Sequence, residues 1–217
     1  MATGRQSQGH LNGTDMRAIV RAGYERGDYA GVYRRDDRLS ALQAHFLEVF
    51  RRLLPPSPRV LDLGCGTGIP FTRWLVESGC AVMGIDFSPK HISAARTNVP
   101  LATFIEGDYT AVDLPGAFDG VVAFYSVFHI PKGEHAALFA RLSGLLKTHG
   151  VVLVTLGNAE GESLEEWCGA RMAWSSLSPE AYERLLGETG FRLVEAGWEG
   201  ERGAGEYHRW LLARKDE

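Results

Sequence analysis

Three glycines lie within five residues in the stretch VLDLGCGTGIP, residues 60–70. An apolar run precedes them and Pro70 follows, which is typical of a strand that ends at a loop and a helix that begins near the proline. So many glycines cost backbone entropy that an ordinary turn does not require. Gly64, Gly66 and Gly68 therefore indicate a loop that a ligand approaches closely.

The spacing of the glycines restricts the kind of ligand. A dinucleotide-binding GxGxxG fingerprint that begins at Gly64 requires a sixth-position glycine, where the chain has Ile69. A Walker loop requires a GK[ST] sequence, which does not follow. The loop favours a nucleoside that carries no phosphate, and a dinucleotide-dependent oxidoreductase stays open as an alternative.

The elements that position this loop alternate regularly along the chain. Short apolar runs rich in Val and Ile alternate with segments of helical periodicity, which predicts parallel strands joined by right-handed crossovers. The predicted strands are 59–64, 81–86, 102–107, 118–125, 151–157, 191–199 and 206–215. The predicted helices include 39–54, 70–79, 88–98, 133–150 and 178–190. We therefore predict an α/β fold with a doubly wound, Rossmann-like, mostly parallel seven-stranded sheet and an antiparallel C-terminal strand.

Composition disfavours several classes of partner. The net charge of -4 and the isoelectric point near 6.0 lack the basic excess that binding many phosphates requires, so we expect no nucleic-acid partner. The polar start and the absence of a long apolar window predict a cytoplasmic protein without a membrane partner. The three cysteines have no CxxC pair, so we expect buried thiols and no metal site.

Residues 59–157 resemble, in order, the class I S-adenosylmethionine-dependent methyltransferases. The first motif of that family looks like hhDhGCGTG, which stands here at 60–68. Residues 158–177 resemble a segment of the ubiquinone/menaquinone-like small-molecule group of this family. The resemblance implies S-adenosyl-L-methionine as cofactor, S-adenosyl-L-homocysteine as product, and methyl transfer to a small molecule with O- or N-methylation favoured. A non-catalytic S-adenosylmethionine-binding partner subunit is the other alternative.

The resemblance also implies cofactor contacts at the ends of the predicted strands. Asp86 matches the carboxylate that holds the two ribose hydroxyls, and Asp108 matches the group that receives the adenine amino group. Phe87 and Tyr109 match the side chains on either side of the ring. The full predicted cofactor set is Tyr24, Gly64, Gly66, Gly68, Asp86, Phe87, Asp108, Tyr109 and Phe124. Asp62, inside the first strand, either braces the loop or contacts the cofactor.

Residues 1–14 have almost no apolar side chains to bury and are predicted to form a mobile tail. Apolar periodicity predicts a helical cap at 15–56, and the methyltransferase domain is predicted at 57–217, with a lid segment at 158–177. Tyr24, Tyr29 and Tyr33 are all candidates for a tyrosine that closes over the cofactor.

The predicted acceptor site combines aromatic residues with one histidine. Tyr125, Trp174 and Tyr207 are expected to line the acceptor pocket. His129 is the candidate base, with an unperturbed pKa of about 6.5, although a core or lid histidine bonded to the backbone is equally consistent with its position. His135, at the start of the next helix, is expected at the surface.

Overall fold

The computed structural model describes residues 13–28, 31, 38–201 and 207–216. The strands in chain order are β1 (Arg59–Leu63), β2 (Ala81–Asp86), β3 (Thr103–Glu106), β4 (Phe118–Ala123), β5 (Leu146–Leu156), β6 (Gly161–Trp167), β7 (Ala170–Ser176), β8 (Phe191–Glu199) and β9 (His208–Lys215). The helices are α1 (Gly13–Arg26), α2 (Ala41–Leu53), α3 (Phe71–Glu77), α4 (Pro89–Asn98), α5 (His135–Leu145) and α6 (Pro179–Glu188).

Seven of these strands form one sheet in the order β3-β2-β1-β4-β5-β9-β8. The strands from β3 to β5 pair in parallel, whereas β9 is antiparallel to both β5 and β8. The strand order reverses between β1 and β4, and the crevice outside the carboxyl ends of strands at such a point is where doubly wound sheets bind ligands. The predicted fold class is confirmed, including the antiparallel strand at the end of the chain.

Helices cover both faces of this sheet, which explains why its strands are continuous apolar runs. Leu61 and Val121 face the side that α5 and α6 cover, and their neighbours Val60 and Val122 face the side that α2 and α3 cover. Consecutive residues of β1 and β4 are therefore buried on opposite sides of the sheet.

Serine caps fix where the helices begin. At the start of α2, the Ser40 hydroxyl accepts a hydrogen bond from the Gln43 amide at 3.2 Å and the Gln43 side chain accepts one from the Ser40 amide at 3.0 Å, a capping box. Ser88 and Ser178 cap α4 and α6 in the same sense, and proline follows each serine. The predicted helices agree with the structure within two residues at either end, except at the end of α5.

Two regions differ from the sequence-based expectation. Helix α5 ends at Leu145, because Leu146 already belongs to β5 and pairs with Phe118 of β4. The predicted lid segment 158–177 contains an antiparallel hairpin, β6-β7, outside the main sheet. Within the predicted cap, α2 packs on a face of the sheet, whereas α1 packs against the hairpin through an apolar cluster: Met16, Val20, Met172 and Ala173. Residues 1–12 of the predicted tail lie outside the described residues, as do Tyr29 and Tyr33.

In the ranges given above, no helix is both long and apolar enough to cross a bilayer. The three cysteines lie within those ranges and none forms a disulfide. Cys80 is buried as expected, but Cys65 and Cys168 are partly exposed, because they lie in loops rather than in the core.

Candidate active site

The glycine loop joins β1 to α3, and its three glycines meet different surroundings. All have positive φ angles, 73° at Gly64, 55° at Gly66 and 79° at Gly68, a region that suits glycine. A Cβ atom on Gly64 would lie 2.4 Å from Cβ of Ser126, and one on Gly68 would lie 2.9 Å from Cγ2 of Val99. A Cβ atom on Gly66 would have no atom within 4 Å. Gly66 therefore borders open space, whereas the other two glycines permit close packing.

Asp86, at the end of β2, holds this loop in place. Its Oδ2 accepts a hydrogen bond from the amide of Gly66 at 3.0 Å, and its Oδ1 accepts one from the amide of Ser88 at 2.9 Å. The Nδ1 atom of His91 lies 3.4 Å from Oδ1. Asp86 is only 5% exposed. The two backbone amides therefore stabilise its carboxylate in a site shielded from water, beside Gly66.

A small cavity of about 60 Å³ lies against Gly66 and Asp86. All members of the predicted cofactor set line it, except Gly68. Gly68 instead lies against α4, where its missing side chain lets the loop approach Val99. The fold therefore brings together residues from α1, the glycine loop, and the ends of β2, β3 and β4.

Arg17 of α1 closes one side of the small cavity. Its Nε donates to Oδ2 of Asp108 at 2.7 Å, and its guanidinium also binds both carboxylate oxygens of Glu134. Asp108 accepts two more hydrogen bonds from the amide and hydroxyl of Thr110, at 2.8 and 2.6 Å. Burial alone would raise the pKa of Asp108, but the Thr110 hydrogen bonds and the Arg17 charge lower it overall. The carboxylate that was predicted to meet adenine is thus ionised and paired with Arg17.

Two aromatic residues of the predicted cofactor set are fixed by their own contacts. The Tyr109 hydroxyl donates to the carbonyl of Ser126 at 3.1 Å, and burial raises the pKa of this phenol above its ordinary value. Phe124 stacks on Phe71 with ring centroids 4.2 Å apart. Both rings therefore form rigid walls of the cavity.

His129 ends a short 3₁₀ turn after β4 and lines the small cavity. Its Nδ1 lies 3.1 Å from the carbonyl oxygen of Ala173 in β7, and its Nε2 lies 2.8 Å from the Tyr24 hydroxyl. Because a carbonyl only accepts, the proton is on Nδ1, and Nε2 accepts from Tyr24. Burial lowers the pKa of His129 to about 4, even though the Ala173 hydrogen bond opposes the shift. The pKa therefore lies well below the unperturbed value of about 6.5, and His129 is neutral at pH 7.

His135 has the same pattern of contacts but belongs to the core. Its Nε2 donates to the carbonyl of Ile130 at 3.1 Å and its Nδ1 accepts from the Tyr182 hydroxyl at 2.9 Å. The expected surface position of His135 is wrong, because the side chain is fully buried. Burial lowers its pKa to about 4 as well, yet it lines neither cavity described here.

A second cavity of about 1010 Å³ adjoins the small one. Tyr24, Tyr125 and His129 line both cavities, so the two spaces meet at these side chains. The predicted pocket residues Tyr125, Trp174 and Tyr207 all border the larger cavity. Residues that the sequence interpretation did not consider for this pocket also line it, among them Gln43, Phe128, Glu162, Glu165 and Glu199.

Tyr125 is held at the junction of the cavities by a network from three directions. Its backbone φ is 53°, a left-handed conformation that costs a non-glycine residue on the order of 1 kcal/mol or more. Its hydroxyl donates to Glu199 and accepts from Nε2 of Gln43 at 2.9 Å, and Glu199 also accepts from Nε1 of Trp210 at 2.8 Å. This network fixes the ring between the two spaces.

Residues 33–196 match the family profile described as a methyltransferase domain. The chain belongs to the class I methyltransferase family. An uncharacterized methyltransferase of Synechocystis sp. is 34% identical over 132 residues, which cover 57% of this chain and 61% of that protein. The ubiquinone biosynthesis O-methyltransferase of Xanthomonas campestris is 30% identical over 117 residues, which cover 51% of this chain and 47% of that protein. The chain thus spans less than two thirds of the length of these curated relatives.

A solved structure shares the fold over nearly the whole methyltransferase. It is the 1,6-didemethyltoxoflavin-N1-methyltransferase of Burkholderia thailandensis with bound 1,6-didemethyltoxoflavin and S-adenosylhomocysteine. The TM-score is 0.76 at 19% sequence identity, over 98% of this chain and 94% of that chain. The arrangement of sheet and helices is therefore that of a known class I methyltransferase.

Asp62 of the methyltransferase lies inside β1, behind the glycine loop. Its Oδ2 accepts a hydrogen bond from the Thr72 hydroxyl at 2.6 Å, and it lines neither cavity. This position fits the bracing role, one of the two that the sequence left open. Burial raises the pKa of Asp62 to about 7, although the Thr72 hydrogen bond lowers it in part.

The raised pKa predicts that Asp62 makes the wild type less stable as the pH rises from about 4 to 7. Over that range Asp62 ionises in the unfolded chain but keeps its proton in the folded one, so the free energy of unfolding falls by about 1.4 kcal/mol per pH unit. Relative to wild type, Asp62→Asn is expected to gain about 2–4 kcal/mol between pH 4 and pH 8, measured by urea denaturation. Asp119→Asn is the control: because the pKa of Asp119 is lowered, its pH dependence lies below about pH 4, and its difference from wild type should stay nearly constant from pH 4 to pH 8. Parallel curves for wild type and Asp62→Asn would contradict this prediction.

Some of the site residues had weak or no signals in the sequence. Glu165 and Trp167 are two residues apart in β6 and both line the larger cavity, so period-two alternation could have indicated them. Arg17 has no comparable signal, because its partners lie 91 and 117 residues away.

Proposed function

We propose that this methyltransferase transfers a methyl group from S-adenosylmethionine to an oxygen or nitrogen of a small-molecule acceptor, and that S-adenosylhomocysteine is released. The observation that carries the proposal is the open space in front of Gly66, beside the shielded carboxylate of Asp86. A ribose can approach the backbone closely at Gly66, where no side chain blocks it. A carboxylate such as that of Asp86 can accept hydrogen bonds from both ribose hydroxyls. Because the chain belongs to the methyltransferase family, we infer that the ribose is that of S-adenosylmethionine.

The residues around the small cavity fit the proposed cofactor. Asp86 would hold the ribose hydroxyls, Asp108 the adenine amino group, and Phe87 and Tyr109 the faces of the adenine ring. Small-molecule sites usually have volumes of about 300–1,000 Å³, so the cavity of about 60 Å³ must widen. Arg17 belongs to α1 and is bound to Asp108, so its side chain is the one that has to move aside.

S-adenosylmethionine, when bound, supplies an electrophilic methyl group on a sulfonium sulfur. The protein holds the acceptor in line and excludes water, which accounts for most of the catalysis of such a displacement. An acceptor that carries an O–H or N–H group must also lose a proton as its new bond to carbon forms. In this proposal the proton goes to Nε2 of His129, which is unprotonated because Nδ1 carries the hydrogen, and the Tyr24 hydroxyl that donates to Nε2 turns aside to admit the acceptor.

The larger cavity is the proposed acceptor site. It shares Tyr24, Tyr125 and His129 with the small cavity, so an acceptor there would reach the junction where the methyl group is transferred. The names of the similar proteins include one O-methyltransferase and one N1-methyltransferase, which favours a heteroatom acceptor. The net charge of -4 supports a small molecule rather than a nucleic acid.

Calorimetry with S-adenosylhomocysteine tests the cofactor assignment. Asp86→Ala is expected to weaken binding by about 2–4 kcal/mol, because charge-assisted hydrogen bonds in a shielded site are lost. Asp119→Ala is the matched control, since this carboxylate also accepts from a backbone amide and pairs with Lys147 but lines neither cavity.

Asp86→Asn keeps one oxygen that can accept a hydrogen bond from a loop amide, so it disturbs the loop conformation less than Asp86→Ala does. If Asp86→Asn also binds S-adenosylhomocysteine weakly, the lost carboxylate rather than a disturbed loop explains the weaker binding. Unchanged affinity in a folded Asp86→Ala protein would overturn the role of this residue. A wild-type protein that does not bind S-adenosylhomocysteine would overturn the proposed function.

A further inference from the structure

Aromatic rings form a continuous wall of the larger cavity. Trp167 and Trp174 have ring centroids 5.6 Å apart with their planes at 90°. Phe128 lies 5.3 Å from Trp174 and stacks on His208 at 5.5 Å. All four residues line the cavity. Phe128 is buried, whereas Trp167, Trp174 and His208 are partly exposed. Aromatic faces that border a cavity bind planar rings by stacking and bind cations through the negative face of the ring.

Besides the aromatic rings, several carboxylates line the larger cavity. The glutamates that border the cavity are Glu162, Glu165, Glu199 and Glu201. The lining residues within the described ranges include no lysine and no arginine. The wall therefore has an excess of negative charge, which attracts cations and repels anions.

Neutral donors leave the charge of Glu199 uncompensated. Its carboxylate accepts hydrogen bonds from Ser40, Gln43, Tyr125 and Trp210, none of which is charged. Across the part of the chain that the structure describes, Glu165, Glu199 and Glu201 form no salt bridge. Among the described residues these three glutamates therefore have no cationic side-chain partner, so they are free to pair with a positively charged ligand.

We propose that the methyl acceptor is a planar aromatic compound that carries a positively charged nitrogen. Its ring lies against Trp174 and Trp167, and its charge is directed towards Glu165 of β6. The inference rests on the proposed function, because it assumes that the larger cavity holds the acceptor. It adds the sign of the acceptor's charge, which the family does not determine.

Three probes with one ring and different charges test this proposal. Tyramine, tyrosol and 4-hydroxyphenylacetate share a phenol ring but end in an ammonium, a neutral hydroxyl and a carboxylate. Binding is measured by calorimetry with the full chain saturated with S-adenosylhomocysteine. We expect tyramine to bind about tenfold or more tightly than 4-hydroxyphenylacetate, with tyrosol between them.

Variants of neighbouring glutamates identify the source of the discrimination. Glu165→Gln is expected to weaken tyramine binding about threefold to tenfold and to leave tyrosol binding unchanged. Glu166→Gln is the matched control, because Glu166 is the next residue of β6 and does not line the cavity. Trp174→Leu is expected to weaken all three probes, since it removes the ring face that they share.

The outcomes separate this inference from the proposed function. If S-adenosylhomocysteine binds but tyramine binds no more tightly than 4-hydroxyphenylacetate, including the case in which neither binds, the cationic-acceptor proposal is overturned. Equal effects of Glu165→Gln and Glu166→Gln on tyramine would also overturn it. If S-adenosylhomocysteine itself does not bind, the proposed function has failed.

Discussion

His129→Ala is expected to lower kcat by about 10²–10⁴-fold and to leave the affinity for S-adenosylhomocysteine unchanged. The histidine offers an unprotonated Nε2 at the junction of the two cavities, and alanine removes the only group assigned to receive the acceptor's proton. His135→Gln is the matched control, because His135 is another buried neutral histidine bonded to a carbonyl and a tyrosine. Its substitution is expected to reduce stability with kcat retained.

The pH dependence distinguishes this role from an ordinary solvated histidine. Because burial lowers the pKa of His129 to about 4, the group stays neutral and able to accept a proton at every pH above about 5. The ratio of kcat/KM between wild type and His129→Gln is therefore expected to be constant from pH 6 to pH 9. An acid limb near pH 6.5 that the variant lacks would show that the histidine titrates as in water. Equal kcat values for wild type and His129→Ala would show that His129 does not accept the acceptor's proton.

Gly64→Ala is expected to lower the free energy of unfolding by about 2–5 kcal/mol. A positive φ costs an L-residue about 1–2 kcal/mol, and overpacking in a close-packed site costs about 1–3 kcal/mol more. The new Cβ would lie 2.4 Å from Cβ of Ser126. Rotation of the Ser126 side chain does not move its Cβ, and a shift of its backbone would disturb the hydrogen bond from its hydroxyl to the carbonyl of Leu63, at 2.8 Å. Urea denaturation measures the change.

Two further variants separate strain from overpacking at Gly64. Gly79→Ala introduces alanine at a similar φ, 83°, where no atom lies within 4 Å, so it should cost only the backbone term. Ser126→Gly removes the clashing Cβ, and the double variant Gly64→Ala/Ser126→Gly should be more stable than the sum of the single effects predicts. If Gly64→Ala and Gly79→Ala cost the same, the close approach to Ser126 is not what requires glycine.

The parts of the fold that local patterns determine could be predicted from the sequence. The strands β2 and β8 have the predicted bounds, because each is a short run with apolar residues between turn residues. The end of α5 could not be predicted, since apolar periodicity continues through Leu146 and only its pairing with Phe118 makes that residue a strand. The formation of a β-hairpin by the lid segment could not be predicted either, since the hairpin packs against α1, which is distant in sequence.

The position of the candidate site could be predicted from the sequence, but the protonation states and ion pairs of its residues could not. The glycines and Asp86 follow from a motif at the end of β1 and β2, and the structure brings them together. Burial causes the low pKa of His129, and its tautomer is set by Tyr24 and Ala173, which are 105 and 44 residues away. The pairing of Asp108 with Arg17 is equally remote. Contacts of this range leave no periodic trace, so protonation states had to come from the structure.

Helix α1 makes its polar contacts across long stretches of chain, and this has a consequence for the order of folding. Its bonds to Asp108, His129 and Glu134 join residues that are 91, 105 and 117 positions apart. A helix of 14 residues is only marginally stable in water by itself, and closing large loops is entropically slow. We therefore expect the helix that comes first in the described chain to dock last, after β3, β4 and the hairpin are in place. The small cavity would then be completed only at the final step of folding.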